Sequence, residues 1–200
     1  MLLENTYNKK ISEAVYNQKL WVNPGVKLSV PNVFLEVLFR YQDLIKGLDD
    51  IGIFVETGTE GGDTANIMSK HFNKIYTIEI IPDTNPTIFE AMDDPENKHV
   101  VWLQGDSVEI LKQLNETIGD QRCVFLLDAH TANSSCLEGE LKVIKKYYNK
   151  QSVIIVDDGK DINVIKGYPT LVEFKRLIYD INSEYKILNT DLGRRIYLIY

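Results

Sequence analysis

An open, mostly parallel α/β sheet is the fold this sequence predicts, and three observations predict it. From Ile51 onward, short β-branched and aromatic runs alternate with helical stretches. Those stretches are short enough to be crossover helices lying on a sheet. The chain then closes on two strand-like runs around Asp191-Leu192-Gly193, the signal of an antiparallel hairpin. The runs read as parallel strands are 52–56, 74–79, 99–103, 123–128 and 152–157, with helical patterns over 63–71, 107–117 and 137–148 between them. Another amphipathic stretch, 170–182, precedes the hairpin runs at 185–188 and 195–199, which brings the expected sheet to seven strands.

Residues 1–50 read differently. Val33, Phe34, Val37, Leu38, Tyr41, Leu44 and Ile45 recur at three- and four-residue intervals, predicting a helix over 32–46 with Pro31 suited to its first turn. A weaker helical pattern over 5–21 ends at Asn23-Pro24-Gly25. This N-terminal helical extension lacks the apolar mass of a second domain, so 51–200 is expected to form one compact domain with 1–50 as its lead-in.

The chain is 200 residues long with 44% hydrophobic and 26% charged residues, enough to bury a core without a metal or disulfide staple. A formal net charge of −7 would repel a phosphate backbone, so no nucleic acid partner is expected. Cys123 and Cys136 show neither metal-type pairing nor an extracellular framework. The start of the chain has no basic region followed by an apolar stretch, and no apolar run reaches the length of a membrane span. The expectation is a cytoplasmic protein with no membrane partner.

In an open α/β sheet, ligands settle beyond the carboxyl ends of the strands, and here those ends are acidic. The first run closes in Glu56-Thr57-Gly58-Thr59-Glu60-Gly61-Gly62-Asp63-Thr64, where glycines let a ligand approach the backbone and the next helix offers free N–H groups. No Lys-Ser or Lys-Thr follows, so it is not a phosphate loop, and the glycine spacing is not G-x-G-x-x-G. Glu79 closes the second run, where a carboxylate can accept from both ribose hydroxyls. Gly105-Asp106-Ser107 and Asp128-Ala129-His130 follow the third and fourth.

Taken together, these residues resemble the class I S-adenosylmethionine-dependent methyltransferases. Their first motif is an acidic residue, any residue, Gly, three residues, then Gly, and Glu56 to Gly62 matches it. The resemblance runs from about residue 50 to the C-terminus and implies a Rossmann-like sheet with an antiparallel last strand. It implies that Glu56, Gly58 and Gly62 line the methionine side of the cofactor, that Glu79 holds the ribose, and that Asp106 with Ser107 borders the adenine, with Asp128 also at the cofactor. The cofactor itself suits acidic loops, because it carries no phosphate while its sulfonium and amine are cationic.

A narrower resemblance is to metal-dependent O-methyltransferases acting on sugars and catechols, which place carboxylates after the fourth and fifth strands. It implies an oxygen-ligand Mg²⁺ site of Asp128, Asp157 and Asp158. Catechol-type members commonly have Asn as third ligand, so Asp158 is nearer the sugar-type pattern. His130 and Asp128 are the implied catalytic residues, with His130 taking the proton of a small-molecule or sugar hydroxyl.

Plainer readings stand beside these. Asp106 is equally a helix cap, with Glu109 completing a capping box. Asp157-Asp158-Gly159-Lys160 also reads as a polar turn, and a loop histidine such as His130 often does no more than hydrogen-bond. Two other functions fit the same pattern: a nicotinamide-dependent oxidoreductase, favoured by Glu79 but not by the glycine spacing, and a non-catalytic nucleoside-binding module whose helical lead-in covers a partner or forms a homodimer.

Overall fold

Three strands are buried from end to end, and they set the centre of the molecule. β1 (Ile53–Thr57), β4 (Cys123–Leu127) and β7 (Val153–Val156) are covered on both faces, as expected of parallel strands flanked by helices. The computed structural model describes residues 30–80, 99–131, 134–162, 164, 167–191 and 195–200. Outside these fall the expected helix over 5–21 with its Asn23-Pro24-Gly25 stop, and most of the turn after Asp191.

Among the described residues, one seven-stranded sheet runs in the order β3-β2-β1-β4-β7-β9-β8, with β2 at Lys74–Glu79, β3 at Val100–Gln104, β8 at Ile187–Asp191 and β9 at Arg195–Ile199. Parallel pairing joins β3, β2, β1, β4 and β7. β9 is antiparallel to both β7 and β8, so it alone runs against the rest. β3, at one edge, is only half-buried. The expected mostly parallel seven-stranded sheet with its C-terminal antiparallel hairpin is what the chain forms.

Alternate residues of the central strands, among them Val55, Phe125, Ile154 and Tyr197, pack against the apolar stripes of three helices. These are α3 (Ser107–Ile118), α4 (Leu137–Tyr147) and α5 (Leu171–Ile181), numbered after α1 (Val30–Arg40) and α2 (Asp63–Met68). Phe125 meets the Tyr148 ring edge-on at 5.0 Å, and the Tyr148 hydroxyl donates to the Leu111 carbonyl, so this aromatic core contact carries its polar atom with a partner. Thr170 and Glu173 form a reciprocal capping box at the start of α5.

The chain divides into a unit ending at Lys46 and a unit from Gly47 to Tyr200. In the first, α1 stops at Arg40 and a short 3₁₀ turn (Gln42–Leu44) follows, whereas the periodicity predicted helix to residue 46. Leu44 is half-exposed, so the apolar repeat does not correspond to one continuous buried face. α2 is also shorter than predicted: beyond its end the Ser69 hydroxyl bonds back to the Asn66 carbonyl, a contact that competes with continued helix.

One element has no counterpart in the sequence pattern. His130–Thr131 (β5) and Ser134–Ser135 (β6) pair as a two-residue antiparallel ribbon just beyond the end of β4. Two-residue bridges are too short to leave a periodic trace. This one places His130 at the carboxyl end of the sheet.

Candidate active site

The parallel strands deliver their carboxyl ends to one edge of the sheet, and backbone hydrogen bonds lock those ends together. The Gly58 amide donates to the Ile78 carbonyl, the Gly105 amide to Glu79, and the Asp128 amide to Thr57. Gly58 lies at φ +85°, and a Cβ there would stand 2.7 Å from the Asp128 carbonyl oxygen, so only glycine allows the turn after β1 to touch the end of β4. Gly62 is the left-handed residue that enters α2, while nothing lies within 4 Å of where a Gly61 Cβ would be. The turn is open on that side.

Glu56 and Glu79 belong to the same corner. Glu56 is buried and accepts from the Thr77 hydroxyl at 2.7 Å, with Thr77 in turn 2.7 Å from the Thr59 hydroxyl. Burial pushes the Glu56 carboxyl up to about 8; the hydroxyls of Thr77 and Thr64 oppose that rise and the nearby Glu79 charge adds to it. The Glu79 carboxylate accepts from the Glu60 amide at 3.2 Å, which joins the end of β2 to the glycine turn.

Asp106 and Ser107 stand at the start of α3. Asp106 caps it, accepting from the Glu109 amide at 3.1 Å, which is the cap half of its plainer reading. The Ser107 hydroxyl is turned inward, 3.3 Å from Cys136 Sγ.

Across the Gly58 contact, the ends of β4 and β7 form a second corner. His130 Nε2 is 2.8 Å from Asp158 Oδ2 and 3.9 Å from Asp128 Oδ1, while Lys160 Nζ lies 3.3 Å from the other Asp158 oxygen. An ionised carboxylate only accepts, so in this pairing Nε2 carries the proton. Asp128, His130 and Asp158 each offer a ligand atom within 4.8 Å of the others. Asp157 is not in that trio. It is buried, and with Asp128, Ser135, Glu140 and Tyr168 it lines a small cavity beneath.

Among the described residues, two that are not glycine have positive φ, Glu60 at 46° and Asp158 at 49°, and they sit one in each corner. Such backbone is held against its own preference by surrounding structure and concentrates at functional sites. Neither could be read in advance, since left-handed backbone at an acidic residue leaves no compositional mark. The threonines around Glu56 and the buried Glu140 were also missed. Glu140 had a signal: it interrupts an apolar stripe of Leu137, Leu141 and Ile144.

No family model and no curated protein matches the sequence. Solved structures do. The O-methyltransferase TomG from Streptomyces achromogenes, involved in tomaymycin synthesis and solved with S-adenosylmethionine, superposes with a TM-score of 0.59 at 16% identity, over 94% of this chain and 87% of that one. An O-methyltransferase from Bacillus cereus, solved with S-adenosylhomocysteine, gives 0.59 at 15% identity over 97% and 89%. The fold is that of the class I methyltransferases.

The Glu56-to-Gly62 turn and the ends of β2, β3 and β4 lie together at the carboxyl edge of this sheet. The same fold is shared by the fibrillarin pre-rRNA processing protein of Methanococcus jannaschii, at a TM-score of 0.52 and 15% identity over 74% of this chain and 66% of that one. The methyltransferase fold therefore does not support the exclusion of nucleic acid expected from net charge. Among the described residues, no helix is long and apolar enough to cross a membrane.

Proposed function

We propose that the protein transfers the methyl group of S-adenosylmethionine to a hydroxyl of a small molecule or sugar. The observation that carries this reading is the buried Glu56 carboxyl, met by threonine hydroxyls at the open glycine turn and standing across the Gly58 contact from Asp128 and His130. A buried acid in that position favours a ligand that brings positive charge and disfavours one that brings phosphate. The nicotinamide reading gains nothing here, because the turn lacks the dinucleotide glycine spacing.

The cofactor supplies an electrophilic methyl group on a sulfonium whose charge disappears on transfer. Glu56, once ionised, accepts from the cationic amino-acid tail, and the glycines at 58 and 62 leave room for it. Glu79 accepts from the ribose hydroxyls, and Asp106 with Ser107 borders the adenine. Opposite them, Asp158 holds the His130 ring through Nε2, leaving Nδ1 as the ring atom that takes the acceptor proton. Asp128, at the Gly58 contact, stands between the two groups of residues.

The trio of Asp128, His130 and Asp158 fits a divalent cation by donor type and spacing. Mg²⁺ prefers oxygen ligands, so Asp128 and Asp158 are its holders in this proposal, and His130 is kept for the proton. Asp157, which the resemblance also implies as a ligand, is buried and lines the small cavity together with Asp128. An ion held there would acidify the acceptor hydroxyl. The two free thiols, Cys123 and Cys136, agree with a reducing, cytoplasmic setting.

Calorimetric titration with S-adenosylmethionine and S-adenosylhomocysteine tests the proposal. Saturable binding of both is expected, and silence with both from folded protein rejects it. Methyl transfer that survives chelation of divalent ions would remove Mg²⁺ while leaving the rest in place.

A further inference from the structure

One buried acid has no part in the chemistry above. Glu140, in the first turn of α4, is 1% exposed. Donors from three places in the chain converge on its carboxyl: Thr57 at the end of β1, Ser107 at the start of α3, and Cys136, whose Sγ is 3.5 Å from Oε1. Burial pushes the Cys136 thiol up to about 12, so the sulfur keeps its proton and acts as a donor.

Each of those three donors is also tied to the site. The Asp128 amide is shared between the Thr57 carbonyl and the Thr57 hydroxyl oxygen, the latter at 3.3 Å, the one Cys136 S–H is shared between Glu140 and the Ala129 carbonyl oxygen 2.8 Å from Sγ, and Ser107 Oγ lies 3.3 Å from that sulfur. The helices leave little slack around this junction, since a Cβ on Gly139 would stand 2.8 Å from a Val108 methyl. A leucine would satisfy the apolar stripe of α4, and a buried carboxyl there is costly unless its partners are all in place.

We propose that Glu140 is a positioning residue: by gathering Thr57, Ser107 and Cys136, it sets the Asp128 to His130 segment against the glycine turn and the adenine border. This rests on the proposed cofactor reading for its effect on affinity, but not for its effect on the backbone. Glu140→Leu is expected to weaken S-adenosylhomocysteine binding about tenfold and to speed amide exchange at Asp128 about as much. Glu140→Gln still accepts from the hydroxyls and should stay within about threefold of the parent on both readouts. Leu141→Ala, which opens a core cavity in the same helix, should lower the melting temperature and leave both unchanged.

Where Glu140→Leu fails to fold, Thr57→Val, which removes one of the three donors, is expected to give the same two changes in smaller measure. Parental affinity and exchange in a folded Glu140→Leu, or in Thr57→Val if only that variant folds, would overturn the proposal. So would an equal loss of affinity in Leu141→Ala. If the parent itself binds neither cofactor form, the methyltransferase reading falls, and amide exchange at Asp128 still decides whether Glu140 positions that segment.

Discussion

The two corners of the crevice handle acidity in opposite ways. At the ends of β1 and β2, the Glu56 carboxyl is sunk among hydroxyls and Glu79 takes a backbone amide, and the cost of burial is left visible in the raised Glu56 titration. At the ends of β4 and β7, Asp158 is met by two basic side chains, His130 and Lys160, nearer to solvent. Glu56, in the first corner, is met by hydroxyls and a neighbouring acid rather than by a basic group. The second carries its own and has a titratable base in hand. In the proposed function, that difference puts the cationic donor on one side and the acceptor hydroxyl on the other.

The comparison breaks most sharply on His130. Replacing it with alanine should lower kcat by about a hundredfold or more while leaving S-adenosylhomocysteine affinity within a few-fold, because the proposed general base belongs to the second corner alone. Steady-state kinetics beside calorimetry reads both numbers. Glu56→Gln should do the reverse, weakening the cofactor complex by about thirtyfold, or roughly 2 kcal/mol, through loss of a buried charge-assisted contact. Equal effects of both variants on affinity would dissolve the distinction between the corners.

Dependence on pH sharpens it further. A carboxyl whose folded value is about 8, against an ordinary 4.5, favours the folded state below pH 4.5 and loses that contribution as pH rises to 8. Glu140, also raised by burial, contributes with the same sign. The ligand-free protein should therefore melt at progressively lower temperature between pH 5 and pH 8, about those limits, and Glu56→Gln should flatten the slope. Cofactor affinity should move the other way, tightening as Glu56 ionises. The smallest effect belongs to Glu60→Gly, which relieves left-handed backbone and should shift stability by less than about 1 kcal/mol, measured by denaturant melts.

How much of this was legible depended on how local each cause was. Strands β1, β4 and β7 were readable because burial on both faces demands unbroken apolar runs, and Glu56 and Glu79 because a carboxylate closing such a run is costly to ignore. Asp158 was readable as an acid at a strand end. Which member of the Asp157-Asp158 pair turns toward His130 was not, because the choice rests on a left-handed φ imposed by the turn in which the Asp161 amide bonds the Asp158 carbonyl. His130 was visible as a residue, but not the hydrogen bond its ring makes to Asp158 at the end of the neighbouring strand β7. Glu140 looked like one more helix acid, although its place in an apolar stripe marked it. The predicted reach of α1 to residue 46 misled because apolar spacing alone does not say whether Leu44 finds a surface to cover.

The central claim is that the first corner waits for a cation. Calorimetry of S-adenosylmethionine binding at pH 7, repeated in buffers of different ionisation enthalpy, counts the protons exchanged. Close to one proton released per cofactor bound is expected, as Glu56 gives up the proton that burial makes it hold at that pH. Binding with no proton released would contradict the account.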